Sequence, residues 1–243
     1  MTELLWDGLH GTQARNSHAQ VVEGIGRAII LGQYPVDSVL PRDDELAEKF
    51  GVSRTVLREA MKTLSAKGLI VARTRIGTKV RPRAAWNLFD AELLAWHLDA
   101  DFGFDFLNQL YEMRLSMEPF GAGLAAQRAT KDQIEGLYRQ VDAMRGADSE
   151  KSFAIADLGL HKAVTEASGN AFMYSVGTLI EAALLTSFRI SSPASKTDLQ
   201  TDVVDAHLRI VEAIERRDVA AAQDAMRHVI DFGRGRVKTA LEG

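Results

Sequence analysis

Asp157 and His161 stand four positions apart in the stretch DLGLHKAVTEASGN. On a helix such a pair projects from one face, so a carboxylate and an imidazole at this spacing can grip one ion. Two more histidines extend the set. In AHLRIVEAIERRDVAAAQDAMRH, a turn is expected at Arg217 and Asp218, with His207 ten residues before it and His228 ten after. An antiparallel helical hairpin would then bring both imidazoles to the same height. Asp157, His161, His207 and His228, from three helices, make an Asp/His₃ set of oxygen and nitrogen donors suited to Zn²⁺, Ni²⁺ or Mn²⁺. Blander readings stay open here. Asp-x-x-x-His is a common surface pair, and His228 can simply pair with Asp224 or Asp231.

A second chemistry lies in residues 52–64, VSRTVLREAMKTL. Val56, Leu57, Ala60, Met61 and Leu64 recur along one side of a helix. Arg54, Thr55, Arg58 and Lys62 then share the other side. Residues 53–83 hold 9 Lys+Arg against the single acid Glu59, although the whole chain carries a formal charge of −4. A basic segment in an acidic protein suits a local contact with a polyanion.

The elements that must carry these residues follow from periodicity and breakers. Helices are expected over 17–32, about 42–50, and from a Ser53 cap to the stop at Gly68. The period then changes, and LIVARTRIGTKVRP reads as a hairpin about Gly77. Helix, helix, tight turn, helix and basic hairpin make a winged helix-turn-helix, whose third helix enters the DNA major groove with its N-terminal residues at base edges. Arg73, Arg75, Lys79 and Arg81 of the wing would hold backbone or minor groove. RPRAAWNLFD reads as a linker. Beyond it, stretches 88–98, 104–129, 131–145, 150–168, 171–190, 200–216 and 218–238 all read as helices, with breaks at Gly103, Gly146, Gly169 and Pro193. The expected fold is mainly α: a winged helix-turn-helix over 1–83 followed by an all-helical bundle of six to seven helices over 84–243. With 243 residues and 46% hydrophobic content, the chain can bury a proper core. It has no cysteine, which excludes disulfides and thiolate metal sites. The start, MTELLWDGLHGT, lacks the order of a secretion signal, and no apolar run is expected to reach the roughly 20 residues of a membrane span. A cytoplasmic location follows as the simplest expectation.

The stretch LPRDDELAEKFGVSRTVLREAMKTLSAKGLI resembles the DNA-binding domain of GntR-family bacterial repressors, over about residues 18–82. The resemblance implies double-stranded operator DNA as partner, with Arg42, Ser53, Arg54, Thr55, Arg58, Gly77 and Thr78 at the duplex. Two departures stand out. Asp44 occupies a position where many members carry a DNA-contacting arginine, and Arg75 with Ile76 replaces the usual Gly-Arg of the wing.

The resemblance continues through YEMRLSMEPFGAGLAAQRAT, DLGLHKAVTEASGN and the final hairpin, which are similar to the FCD effector domain of the FadR subfamily. It implies a metal held through Asp and three His, and a small carboxylate effector that completes the metal's coordination. Arg114 is the residue expected to clamp the acid group; its alternative is an ion pair with Glu118. WNLFDAELLAWHLD and its flanking stretches are similar to galactonate-responsive repressors of sugar-acid catabolism, which implies a hexonate or other hydroxy acid, with Asn170 and Arg189 lining its site. The combined expectation is a homodimeric repressor with a divalent metal, zinc foremost. Alternatives are a regulator of another small carboxylate such as lactate, pyruvate or a dicarboxylate, one of an acyl ligand, and a metal-dependent hydrolase. The last leaves the basic module unexplained.

Overall fold

The computed structural model describes residues 16–99, 104–195 and 197–242, and the contacts within it group into two units. The first begins with α1 (Ser17–Ile30), started by the Asn16 side chain, which accepts the Ala19 amide at 2.8 Å. Its stripe of Val21, Val22, Ile25, Ile29 and Ile30 is buried. Next come α2 (Asp43–Phe50) and α3 (Arg54–Ala66). Between them Gly51 takes φ +63°, a left-handed conformation that a glycine reaches without strain. Strands β1 (Ile70–Arg73) and β2 (Gly77–Val80) pair antiparallel, from Ile70 against Val80 to Arg73 against Gly77. Leu46, Leu57, Leu64, Leu69, Ile70 and Val80 close the core. This is the winged helix-turn-helix that the sequence predicts.

The boundary expected at 83/84 is corrected by the packing. A short 3₁₀ turn (Arg83–Ala85) leads to α4 (Ala91–Asp99), and Trp86, Leu93 and Trp96 belong to the same core as α1 and α3. The Trp86 indole donates to the Arg81 carbonyl at 3.0 Å, and Lys67 bridges Asp90 and Glu92, each at 2.7 Å. The stretch read as a linker and the helix after it therefore complete the first unit, because Trp86 and Trp96 are apolar surface that this small module uses as core.

The second unit is a bundle of α5 (Phe104–Arg128), α6 (Lys131–Arg145), α7 (Glu150–Ala167), α8 (Ala171–Tyr174), α9 (Gly177–Ile190), α10 (Thr197–Glu215) and α11 (Val219–Glu242). Reciprocal capping boxes start α6 (Thr130 with Gln133) and α7 (Ser149 with Ser152). Helix α5 packs on α11, α7 on α6, and α10 on α11. The helix expected over 171–190 is broken into α8 and α9. By length and composition Ala171–Ile190 is apolar enough to cross a membrane, contrary to expectation, with a mean hydropathy of 1.4. It is 71% buried inside the protein, as a core element of the bundle is. The Gly103 break and the opening segment MTELLWDGLHGT lie outside the described residues.

Candidate functional site

Helix α3 presents Arg54, Thr55 and Arg58 on its exposed side while Leu57, Ala60 and Leu64 are buried. Ser53 caps it, accepting the Val56 amide at 3.3 Å, so its part in this geometry is to start the helix. Arg42 is the exposed N-cap position of α2. At the wing tip Arg75 adopts φ +64°, the left-handed conformation that suits the glycine of the usual pattern. Gly77 and Thr78 open β2, where the Thr78 carbonyl accepts the Leu40 amide at 2.8 Å. The basic character of 53–83 is narrower than its sequence count. Arg54 is paired with Asp44 (2.9 Å), Lys62 with Glu59 (2.8 Å), Lys79 with Asp37 (2.8 Å), and Lys67 is buried on its two acids. Arg58, Arg73, Arg75 and Arg81 have no acidic partner within 4.0 Å among the described residues, and these carry the cationic face.

In the bundle, α7 and α10 bring Asp157, His161 and His207 together. All three are buried, and their ligand atoms lie within 4.8 Å of one another. Asp157 Oδ1 is 3.0 Å from His207 Nε2, Asp157 Oδ2 is 3.8 Å from His161 Nε2, and the two Nε2 atoms are 3.4 Å apart. The opposite ring nitrogens are engaged: His207 Nδ1 donates to the Val203 carbonyl at 2.7 Å, and His161 Nδ1 meets the Glu118 carboxylate. Such outer partners orient each ring so that its Nε2 faces Asp157. An ion at this point would be held by two imidazoles and a carboxylate. Asp157 Oδ2 has no hydrogen-bond partner. The donor set fits a divalent ion.

Around these donors lies a small cavity of about 20 Å³, room for an ion or a water molecule, lined by groups from α5 and α11 as well. Arg114 is buried and bonds Glu118 through Nε at 2.5 Å, leaving its Nη2 without a partner. Arg236 also lines the cavity, with its Nε unpartnered. Burial pushes the Arg236 guanidinium below its ordinary pKa, against the pull of Asp157. Burial would raise Glu118, yet the Arg114 charge and His161 outweigh it and hold the carboxyl at about 2. Asp157 is likewise lowered: burial opposes ionisation, and His207, His161 and Arg114 overcome it.

Three expected site residues fall elsewhere. His228 is exposed on α11 and stacks on Phe232 at 6.1 Å, while its neighbour Val229 lines the cavity. Equal distance from the turn sets height along the hairpin but not direction around it, and one residue rotates a helical side chain by about 100°. Asn170 caps α8, its Oδ1 accepting the Phe172 amide at 3.0 Å. Arg189 is exposed on α9 and is not among the lining residues. Conversely, the sequence reading passes over Arg236. Its only signal is helical spacing, seven residues beyond Val229 on the inward face of α11.

Residues 109–232 match the FCD domain, and residues 18–80 match the bacterial regulatory proteins of the gntR family. The chain is 34% identical to the uncharacterized HTH-type transcriptional regulator YieP of Escherichia coli (strain K12), over 86% of this chain and 90% of that one. It is 28% identical to the galactonate operon transcriptional repressor of the same organism, over 92% and 97%. It is 26% identical to a probable D-xylose utilization operon transcriptional repressor of Paenarthrobacter nicotinovorans, over 86% and 84%. The solved structure of Lar, which controls the expression of the Listeria monocytogenes agr system, shares the fold with a TM-score of 0.66 at 15% identity, over 94% and 99%. Fold and relatives define a DNA-binding transcription regulator and not an enzyme. The chain belongs to the gntR family, with an FCD domain as its second unit.

Proposed function

We propose that this regulator is a cytoplasmic homodimer that represses a sugar-acid catabolic operon and changes its operator affinity when a hydroxy acid enters the bundle. The carrying observation is one cavity that joins Asp157, His161 and His207 to two arginines, Arg114 and Arg236, each with an unpartnered nitrogen. A divalent ion held by the three donors, zinc foremost and nickel or manganese next, supplies an electrophilic anchor for a carboxylate. Arg114, already braced by Glu118, offers its Nη2 to the acid group, and Arg236 offers its Nε from the facing helix. Charge-assisted bonds of this kind are about twice as strong as neutral ones. The relative named for a galactonate operon supports the class of ligand. The charged groups of the lining call for an anionic head, while Leu184, Phe188, Val203, Val229 and Phe232 supply an apolar side for the ligand's carbon frame.

At the DNA end, Arg54, Thr55 and Arg58 reach base edges, with Arg42, Arg75 and the backbone of Gly77 and Thr78 at phosphates. Ligand acts only through its different affinity for the DNA-competent and incompetent arrangements. A coupling of about 1–3 kcal/mol gives 5–150-fold regulation. The test is a thermal-shift screen of hexonates, hexarates, lactate, pyruvate and fatty acids. Metal-loaded protein should be stabilised saturably by a hydroxy acid, the effect should vanish on chelation, and Arg236→Ala should weaken it. Stabilisation by fatty acids alone, or a response indifferent to chelator, overturns the proposal.

A further inference from the structure

We propose that Asp44 is a specificity-determining residue, a carboxylate that orients Arg54 to read a guanine edge in the operator in place of holding a phosphate. This rests on the reading of α3 as the helix that enters the groove. Asp44 is the second residue of α2 and Arg54 the first of α3, and Arg54 Nη2 meets Asp44 Oδ1 at 2.9 Å across the tight turn at Gly51.

The pair does little for stability. Its side chains are 79% and 71% exposed, and ion pairs in that setting are nearly balanced by solvation and side-chain entropy. Its position gives it another role. The first residues of α3 are those that a helix-turn-helix sends to base edges, so Asp44 sits beside the duplex, where phosphates repel a carboxylate. Asp43 and Glu45 also lie in the first turn of α2, where acids favour the helix N-terminus. Asp44 alone of the three has an arginine of the reading helix on it among the described residues.

The chemistry of the guanidinium sets the consequence. Its five N–H groups lie in one plane. With one Nη2 donor held by Asp44, the plane is restrained and the remaining donors point away from α2, in a fork that matches O6 and N7 of guanine. The same contact cancels the Arg54 charge as a phosphate partner, so the pair discriminates without adding general affinity. Arg73, Arg75 and Arg81 of the wing, with no acidic partner within 4.0 Å among the described residues, supply that affinity. Asp44 is thus a positioning residue for Arg54, and removing it converts a base reader into an additional non-specific cation.

The experiment selects a half-site with the full chain from a random-sequence duplex library, then measures binding of wild type, Asp44→Ala, Asp44→Asn and Arg54→Ala to that duplex and to single-base variants, across a salt series. Asp44→Ala should keep the wild-type melting temperature and bind unrelated duplex more tightly. It should lose about tenfold of the discrimination at one guanine, and its plot of log affinity against log salt should steepen by about one. Asp44→Asn, which keeps an oxygen acceptor but no charge, should steepen the slope while retaining part of the discrimination. Full discrimination and an unchanged slope in Asp44→Ala overturn the role of Asp44 while leaving the recognition helix standing. Undiminished specific binding by Arg54→Ala overturns both.

Discussion

Three side chains rather than four form the proposed ion site, and the difference lies in which way one helix faces. Val229 occupies the inward position of α11, and His228 is turned out toward solvent. A histidine at 229 would carry an imidazole into the cavity as a fourth donor. Val229→His should therefore raise Zn²⁺ affinity by an order of magnitude or more, since a four-ligand shell closes a tetrahedral site; competition with a fluorescent chelator reads this directly. In the same titration His228→Ala should bind zinc like wild type, and His207→Ala should lose at least 100-fold. Equal loss in the His228 and His207 variants would refute the geometry. Asp157 and His161 were legible in the sequence because i, i+4 spacing on one helix fixes both height and direction. Of the two histidines counted from the turn, His207 joins them and His228 does not, because a side chain on another helix depends on that helix's rotation, which residue counting leaves open. Arg236 and the Glu118 brace on His161 were hidden for the same reason.

The helices themselves were legible almost to their ends, since caps such as Asn16, Ser53, Thr130 and Ser149 and breakers such as Gly51 and Gly169 act locally. What the sequence concealed was the affiliation of α4. Its packing on α1 is so close that a Cβ at Gly26 would meet the Trp96 ring at 2.2 Å. Gly26→Ala thus sets a gain in helix propensity of about 1 kcal/mol against overpacking of about 1–3 kcal/mol. Trp96 is 5% exposed and cannot withdraw, so the variant should be net destabilised in urea melts; a more stable variant would show that α4 does not pack there. Buried His97 on the same helix adds a pH dependence. Burial lowers its pKa below the usual 6.5, against a bond to the Leu93 carbonyl at 2.9 Å. Between the lowered folded value and 6.5, the unfolded chain binds the extra proton, so stability falls as pH drops through that window. Melts at pH 7.5 and 5.5 should show this loss, and His97→Gln should reduce it.

For the whole molecule, the proposed homodimer on a two-fold operator needs a face for pairing, and the bundle exposes an apolar one. Phe172, Tyr174, Phe120 and Met113 are 85%, 59%, 54% and 40% exposed. They belong to one neighbourhood: Met173, between the two α8 aromatics, lies against Gly121, beside Phe120 on α5. Taking about 200 Å² for each aromatic side chain, the exposed part comes to roughly 400 Å². That reaches the largest patch of an ordinary monomer and about half of what one partner contributes to a standard interface, so it fits the apolar centre of a contact with a polar rim. Helix α5 also links this face to the cavity, because it carries Arg114 and Glu118 inward and Met113 and Phe120 outward. On the proposed reading, a ligand drawn onto Arg114 would bias how two copies meet. Phe172→Asp, at an exposed position with few contacts to lose, should leave the melting temperature within a degree or two of wild type. Light scattering should show its mass halved, and operator affinity should fall by about 100-fold as two half-sites cease to be bound as one unit. A dimeric Phe172→Asp with unchanged operator affinity would mean that the copies pair elsewhere.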